Sequence, residues 1–207
     1  MGGARRRLLL PLHVPRKLGA GESATDWSIE GRWEWVWTFV TAMEIVYLET
    51  SFISLLVANP SRDLATAGQQ QTTRDWWQRR RTAFYCVTSD ETLAEAARGD
   101  PEQARLRLAA LAGLPVLPIT VEAERLAAEF LRTGCLPATA RSDAVHLAAA
   151  TRGEVDFLLT WNCRHLANGQ ILRRLEREAD RFGWKLPTVC TPLELMGDST
   201  YETESDS

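Results

Sequence analysis

Five side chains stand where an ion or a phosphate could be handled: Glu49, Glu91, Glu95, Asp143 and Asn162. Glu49 follows the apolar run Ile45–Leu48 and precedes Thr50 and Ser51. Asn162 lies two residues past Thr160, which ends the run DFLLT at residues 156–160. Between them, Glu91 and Glu95 are one helical turn apart, and Asp143 opens an apolar stretch at residues 144–150. Carboxylate, carbonyl and hydroxyl oxygens suit Mg²⁺ or Mn²⁺. Such ions lower the pKa of a bound water and clamp a phosphodiester oxygen. Spacing alone does not bring these residues together, and ordinary roles compete. Glu91 stands three residues after Thr88, the spacing of a capping box. Glu95 is on the same face, and capping does not explain it. Asp143 fits a helix-start acid favoured by the macrodipole, although its helix is too apolar for a purely solvated role. His146, one turn from Asp143, reads as a packed, hydrogen-bonded core residue. His165 reads equally as a surface residue or as a phosphate contact.

Positioning these groups requires strands and helices in alternation. Short apolar runs predict strands at residues 45–48, 84–87, 115–119, 156–160 and 188–190. Helical spacing predicts helices over 50–58, 62–81, 88–98, 101–112, 122–131, 142–151 and 170–182, with a last helical turn at 192–196. Trp76 and Trp77 anchor the second of these, and Pro101 starts the fourth. The alternation makes this an α/β chain with a mainly parallel sheet covered by helices on both faces. In such sheets a ligand site lies at the carboxyl ends of the strands.

The bulk numbers set limits. Apolar residues are 45% and charged residues 25%, a globular composition. The net charge of −3 lacks the basic excess of a protein held to nucleic acid by charge alone. Residues 1–42 carry six Lys/Arg against four Asp/Glu, so the rest of the chain carries −5 and would need local neutralisation beside a polyanion. Cys86, Cys135, Cys163 and Cys190 are all at least 27 residues apart, which gives no zinc spacing and reads as free thiols in a reducing cytoplasm. No apolar run approaches the ~20 residues of a membrane span. Arg5, Arg6 and Arg7 followed by LLLPL mimic an export signal, but five apolar residues interrupted by Pro11 are too few. Neither GxGxxG nor GxxxxGK[ST] occurs, which removes the loops that cradle nucleotide phosphates.

Residues 1–42 differ from the rest. They hold four of the eight tryptophans, with Trp33, Trp35 and Trp37 spaced for a short strand, and are expected to be a poorly ordered extension, with Met43 as an alternative start. Residues 43–197 form the domain. Residues 198–207 are expected to be a disordered acidic tail.

The runs IVYLETSFIS, TSDETLAEAARGDPEQARLRL, LPATARSDAVHLAAA and VDFLLTWNCRHLAN, in that order over residues 44–197, resemble the PIN-domain nucleases, especially the branch of VapC-type toxins. The resemblance implies a PIN-like three-layer α/β/α sandwich around a mainly parallel five-stranded sheet. It also implies a cytoplasmic Mg²⁺- or Mn²⁺-dependent ribonuclease, the toxin of a type II toxin–antitoxin pair, with RNA as substrate, an antitoxin protein as partner and a homodimer as its assembly. By position the catalytic set is Glu49, Glu95, Asp143 and Asn162, of which Glu49, Glu95 and Asp143 would bind metal, supported by Thr50, Ser51 and Thr160. Arg164, His165 and Arg81 would form a basic rim for substrate phosphates. Arg173 and Arg174 fit that rim or a solvated helix face with Glu–Arg pairs. Two departures stand out. Glu49 replaces the family's usual Asp and is longer by one methylene, and Asn162 keeps a carbonyl oxygen without the charge. Three negative charges remain, enough to hold one ion, and activity is expected to be retained. The alternative is a catalytically weakened PIN-like scaffold that binds nucleic acid or a protein.

Overall fold

The computed structural model describes residues 43–197. The anticipated extension at 1–42, with its strand around Trp33, Trp35 and Trp37, and the acidic tail at 198–207 lie outside the described residues. The elements run β1 (Ile45–Leu48), α1 (Thr50–Val57), α2 (Leu64–Arg79), β2 (Tyr85–Ser89), α3 (Asp90–Ala96), α4 (Pro101–Leu111), β3 (Val116–Leu117), α5 (Val121–Arg132), α6 (Arg141–Arg152), β4 (Phe157–Leu159), α7 (Gly169–Arg181) and β5 (Thr188–Cys190). Single 3-10 turns follow α2 and β5, at Arg81–Ala83 and Pro192–Leu195. The strands form one sheet in the order β3-β2-β1-β4-β5, and every neighbouring pair is parallel. The expectation of a mainly parallel sheet thus becomes a wholly parallel one.

The pleat of β1 explains the three layers. Side chains alternate across a strand, so Val46 and Leu48 point to one face and Tyr47 to the other, all fully buried. Val46 and Leu48 join Phe52 and Ile53 of α1, Trp76 of α2, Ala96 of α3 and Leu111 of α4. Tyr47 joins Leu126 and Phe130 of α5, Val145 and Leu147 of α6, and Leu175 of α7. A strand buried on both faces needs an unbroken apolar run, which IVYL supplies. Trp76 fixes the first layer: it packs edge-on to Phe52, stacks on Phe84 and donates its indole N–H to the Leu195 carbonyl at 3.2 Å.

Several boundaries differ from expectation for local reasons. β2 runs on to Ser89, so Thr88 is a buried strand residue, and Ser89 caps α3 by accepting from Thr92 N. The capping box on Thr88 therefore does not form, and the Glu91 carboxylate is left for other work. β3 is only two residues because Pro115 and Pro118 flank it and neither can donate to a ladder. Asp63 caps α2, which starts at Leu64 rather than residue 62.

β1 sits between β2 and β4, so the chain leaves it in one direction towards β2 and β3 and returns on its other side as β4 and β5. This reversal opens a crevice at the carboxyl ends of β1 and β4, the place where open parallel sheets bind ligands. Glu49 N donates to the Leu159 carbonyl at 3.2 Å, which ties the two strand ends together there.

Candidate active site

Glu49 leaves β1 in extended backbone and caps α1, accepting from Ser51 N at 3.0 Å. The same oxygen, Oε2, also accepts from the hydroxyls of Ser51 at 2.5 Å and Thr160 at 2.8 Å. Three donors on one oxygen hold a carboxylate that is only 5% exposed. They leave Oε1 facing His146 Nε2 at 3.9 Å. Thr50 and Ser51, expected as supports, bond in separate ways: Thr50 Oγ1 donates to Glu95 Oε2 at 2.5 Å, and Ser51 Oγ also accepts from Trp161 N at 2.8 Å.

Glu95 lies at the inner end of α3. Its Oε2 meets His146 Nε2 at 2.9 Å, and its Oε1 accepts from Ser142 Oγ at 2.5 Å. Burial alone would raise its pKa, but hydrogen bonds from His146, Ser142 and Thr50, with the charge of His146, outweigh it and hold the carboxyl at about 2. Ser142 Oγ is also 2.6 Å from Glu91 Oε1, and its single proton serves one of the two acids at a time.

α6 explains how these groups meet. Its first residues have no side-chain cap, so Ser142 and Asp143 in the first turn are free to reach across to neighbouring elements. His146, one turn on, is 1% exposed. Its Nδ1 stands 2.7 Å from the Tyr47 hydroxyl, which in turn is 2.6 Å from Ser89 Oγ and 3.0 Å from Thr92 Oγ1. Burial would favour the neutral imidazole, but Tyr47, Glu95 and Glu49 act the other way and hold its pKa well above the ordinary value. The expectation of a packed, hydrogen-bonded histidine describes its burial and misses its position between two acids. Its spacing from Asp143 puts the two on one helix face, but that spacing does not point to Glu49 or Glu95.

Asp143 belongs to a neighbouring group. Its Oδ1 accepts from Asn162 Nδ2 at 2.8 Å, and its Oδ2 meets His165 Nδ1 at 2.7 Å. Asn162 Oδ1 accepts from His165 N at 3.1 Å, and Asn162 N donates to Thr160 Oγ1 at 2.9 Å. His165 thus faces an acid rather than standing alone on the surface. Arg164 is exposed on the same loop after β4. Arg81 is placed elsewhere and corrects the expected rim. It precedes β2, whose first residue pairs with Ile45 at the amino ends of the strands, and its guanidinium lies 4.2 Å over the Trp77 ring.

Among the described residues, Glu49, Glu95 and His146 each offer a ligand atom within 4.8 Å of the others, a spacing that suits one metal ion. Asp143 is not part of that set. The sheet lies between two helical layers, and Glu49, Glu95, Asp143 and Asn162 stand at one end of it. It is an α/β fold with a five-stranded, wholly parallel sheet. No family model and no curated protein matches the chain. Solved structures similar to it include the following two. One is VapC20 of Mycobacterium tuberculosis, a sarcin–ricin loop cleaving toxin, at 19% identity and a TM-score of 0.47, over 60% of this chain and 95% of that one. The other is VapBC2 from Rickettsia felis bound to a DNA fragment from its promoter, at 13% identity and a TM-score of 0.47, over 71% and 98%. No helix among the described residues is long and apolar enough to cross a membrane. All four cysteines are free, and three of them are buried.

Proposed function

We propose that this PIN-like chain is a Mg²⁺- or Mn²⁺-dependent endoribonuclease that hydrolyses RNA phosphodiester bonds, acting as the toxin of a type II toxin–antitoxin pair. The observation that carries the reading is the convergence of Glu49 and Glu95, from two separate elements, at the crevice where the strand order reverses. The two carboxylates are held close by many donors, and Glu49 Oε1 accepts none of them, which suits an oxygen kept for a cation. Bound there, a divalent ion supplies a more acidic water and a Lewis acid for the phosphodiester oxygen. Glu49 and Glu95 hold it, and Asp143 adds the third negative charge while fixing His165 and Asn162 at the mouth. Arg164 and His165 stand on the loop where a phosphate backbone would be guided in. In this reading the protein is cytoplasmic and works as a homodimer, and an antitoxin protein is its natural partner.

The test is direct. Full-length protein, freed of any partner, should cleave RNA with Mg²⁺ or Mn²⁺ and not with EDTA, and Glu95→Gln should lose that cleavage. RNA left intact with both ions, or a fully active Glu95→Gln protein, would refute the reading and leave a scaffold that binds nucleic acid or protein.

A further inference from the structure

Trp161 stands between two residues of the site. Thr160, before it, donates to the Glu49 carboxylate, and Asn162, after it, donates to Asp143. The backbone of Trp161 is fixed on both sides. Its N–H donates at 2.8 Å to Ser51 Oγ, the hydroxyl that also donates to Glu49, and its carbonyl accepts from Cys163 N at 2.8 Å. The indole is fixed as well. Its Nε1–H donates to Thr73 Oγ1 of α2 at 2.8 Å, and that fully buried hydroxyl donates onward to the Gln69 carbonyl at 2.7 Å. The ring therefore spans from the end of β4 to α2 and is held at both ends. Core packing does not account for it. Trp76, Trp77 and Trp184 each belong to or pack against an apolar core, whereas among the described residues Trp161 does neither, and no other ring stacks on it. It is only partly buried, and a tryptophan whose single donor is already committed presents apolar ring to solvent.

Resting on the nuclease reading above, we infer that Trp161 is a stacking platform for one nucleobase of single-stranded RNA, next to the phosphate handled at the acid site. A nucleotide joins a flat base to a phosphate, and this crevice joins a fixed, flat ring to a site suited to phosphate chemistry. Charge points the same way. Residues 43–207 carry a net −5, so affinity for a polyanion has to draw on contacts that do not depend on charge. A base stacked on an aromatic side chain contributes roughly 5- to 150-fold in affinity. A ring already locked by Thr73 loses little freedom when the base arrives. Only an unpaired base can lie on it, so the platform takes a single strand or a loop and not a duplex. Because the indole N–H is committed to Thr73, Trp161 reads ring area rather than base edges; it tolerates every base and favours the larger purines.

The experiment uses full-length protein and short single-stranded RNAs, with binding read in a Glu95→Gln background and cleavage in the unaltered one. Trp161→Leu should weaken binding ~10-fold or more and raise KM to match, with kcat changed less. Trp161→Phe keeps a ring without the bond to Thr73 and should keep most of the affinity. A single abasic nucleotide, moved along the RNA, should cost a similar factor at one position, and nothing further there in Trp161→Leu. Unchanged affinity in Trp161→Leu, or equal losses in Trp161→Leu and Trp161→Phe, would overturn the inference. So would an abasic scan with no sensitive position, which is read with Trp161 in place and decides the matter even where Trp161→Leu does not fold. RNA bound through Trp161 but left intact with both Mg²⁺ and Mn²⁺ would refute the nuclease reading and leave the platform standing. RNA cut with no dependence on Trp161 would do the reverse, and RNA that does not bind at all would overturn both.

Discussion

Tyr47 and His146 come from the central strand and from a helix 99 residues later, and the hydroxyl of one lies 2.7 Å from Nδ1 of the other. Neither side chain is reachable by solvent. Tyr47 shares with Ile45 the face of β1 towards α5, α6 and α7, and its polar end makes it the link between the sheet core and the acid site. Tyr47→Phe keeps the ring but strips the hydroxyl from His146, Ser89 and Thr92. It should lower stability by roughly 1–3 kcal/mol, the cost of leaving buried polar groups without a partner. It should also reduce cleavage at saturating substrate, because His146 then loses its orientation, while KM changes little. Urea denaturation and steady-state cleavage measure the two effects separately.

Glu95 and His146 should make the metal-free protein's stability depend on pH in a defined window. The Glu95 carboxyl is depressed from 4.5 to about 2, so its share of stability is present above pH 4.5 and is lost as the pH falls towards 2. The His146 imidazole is raised well above 6.5, so its share is complete below 6.5 and is lost as the pH climbs through the raised value. Both shifts describe one pair and are counted once. The stability gap between the natural protein and His146→Gln, measured by urea denaturation in EDTA, should be widest between pH 4.5 and 6.5 and narrow on both sides. A gap that stays constant with pH would show that the pair is not charged.

Asp143 and Glu95 should respond differently to loss of charge. Glu95 lies in the close set of ligand atoms, and Asp143 lies in the adjoining group with Asn162 and His165. Glu95→Gln should abolish ion binding measurable by calorimetry. Asp143→Asn should weaken it ~10-fold, the size of effect seen when an outer partner of a metal site is altered. Equal loss in the two variants would place Asp143 among the direct ligands.

Much of this was legible in the sequence, and the exceptions have physical causes. β1 falls where its short apolar run places it, because a buried parallel strand has no other pattern to show, and the edge strand β5 also falls at its expected residues. β3 is shorter than its apolar stretch because hydrophobicity does not register a missing N–H at Pro118. Glu49 and Glu95 are found from their positions after strands. His146 is hidden by the same signal that reveals its helix. Among Ala144, Val145, Leu147 and Ala148 a histidine reads as packing, and only the fold shows that its ring reaches both acids. Arg81 errs the other way. It neighbours a strand in sequence, but it precedes that strand, and in a parallel sheet this means the opposite edge from the site.

That difference between the two edges gives a last prediction. Arg164 is exposed on the loop after β4, beside the site, whereas Arg81 lies over Trp77 at the amino ends of the strands. Each phosphate contact to single-stranded RNA contributes about 0.7 to the slope of log affinity against log salt. If Arg164 meets the backbone, Arg164→Ala, in a Glu95→Gln background that cannot cut, should reduce the slope for RNA binding by about that amount. Arg81→Ala in the same background should leave both slope and affinity unchanged and cost about 0.5–1 kcal/mol of stability through the lost cation–π contact. Binding titrations from 50 to 200 mM salt (about the range over which such contacts are readable) distinguish the two. A reduced slope in Arg81→Ala would mean that RNA wraps to the far edge of the sheet. An unchanged slope in Arg164→Ala would remove that loop from the substrate path.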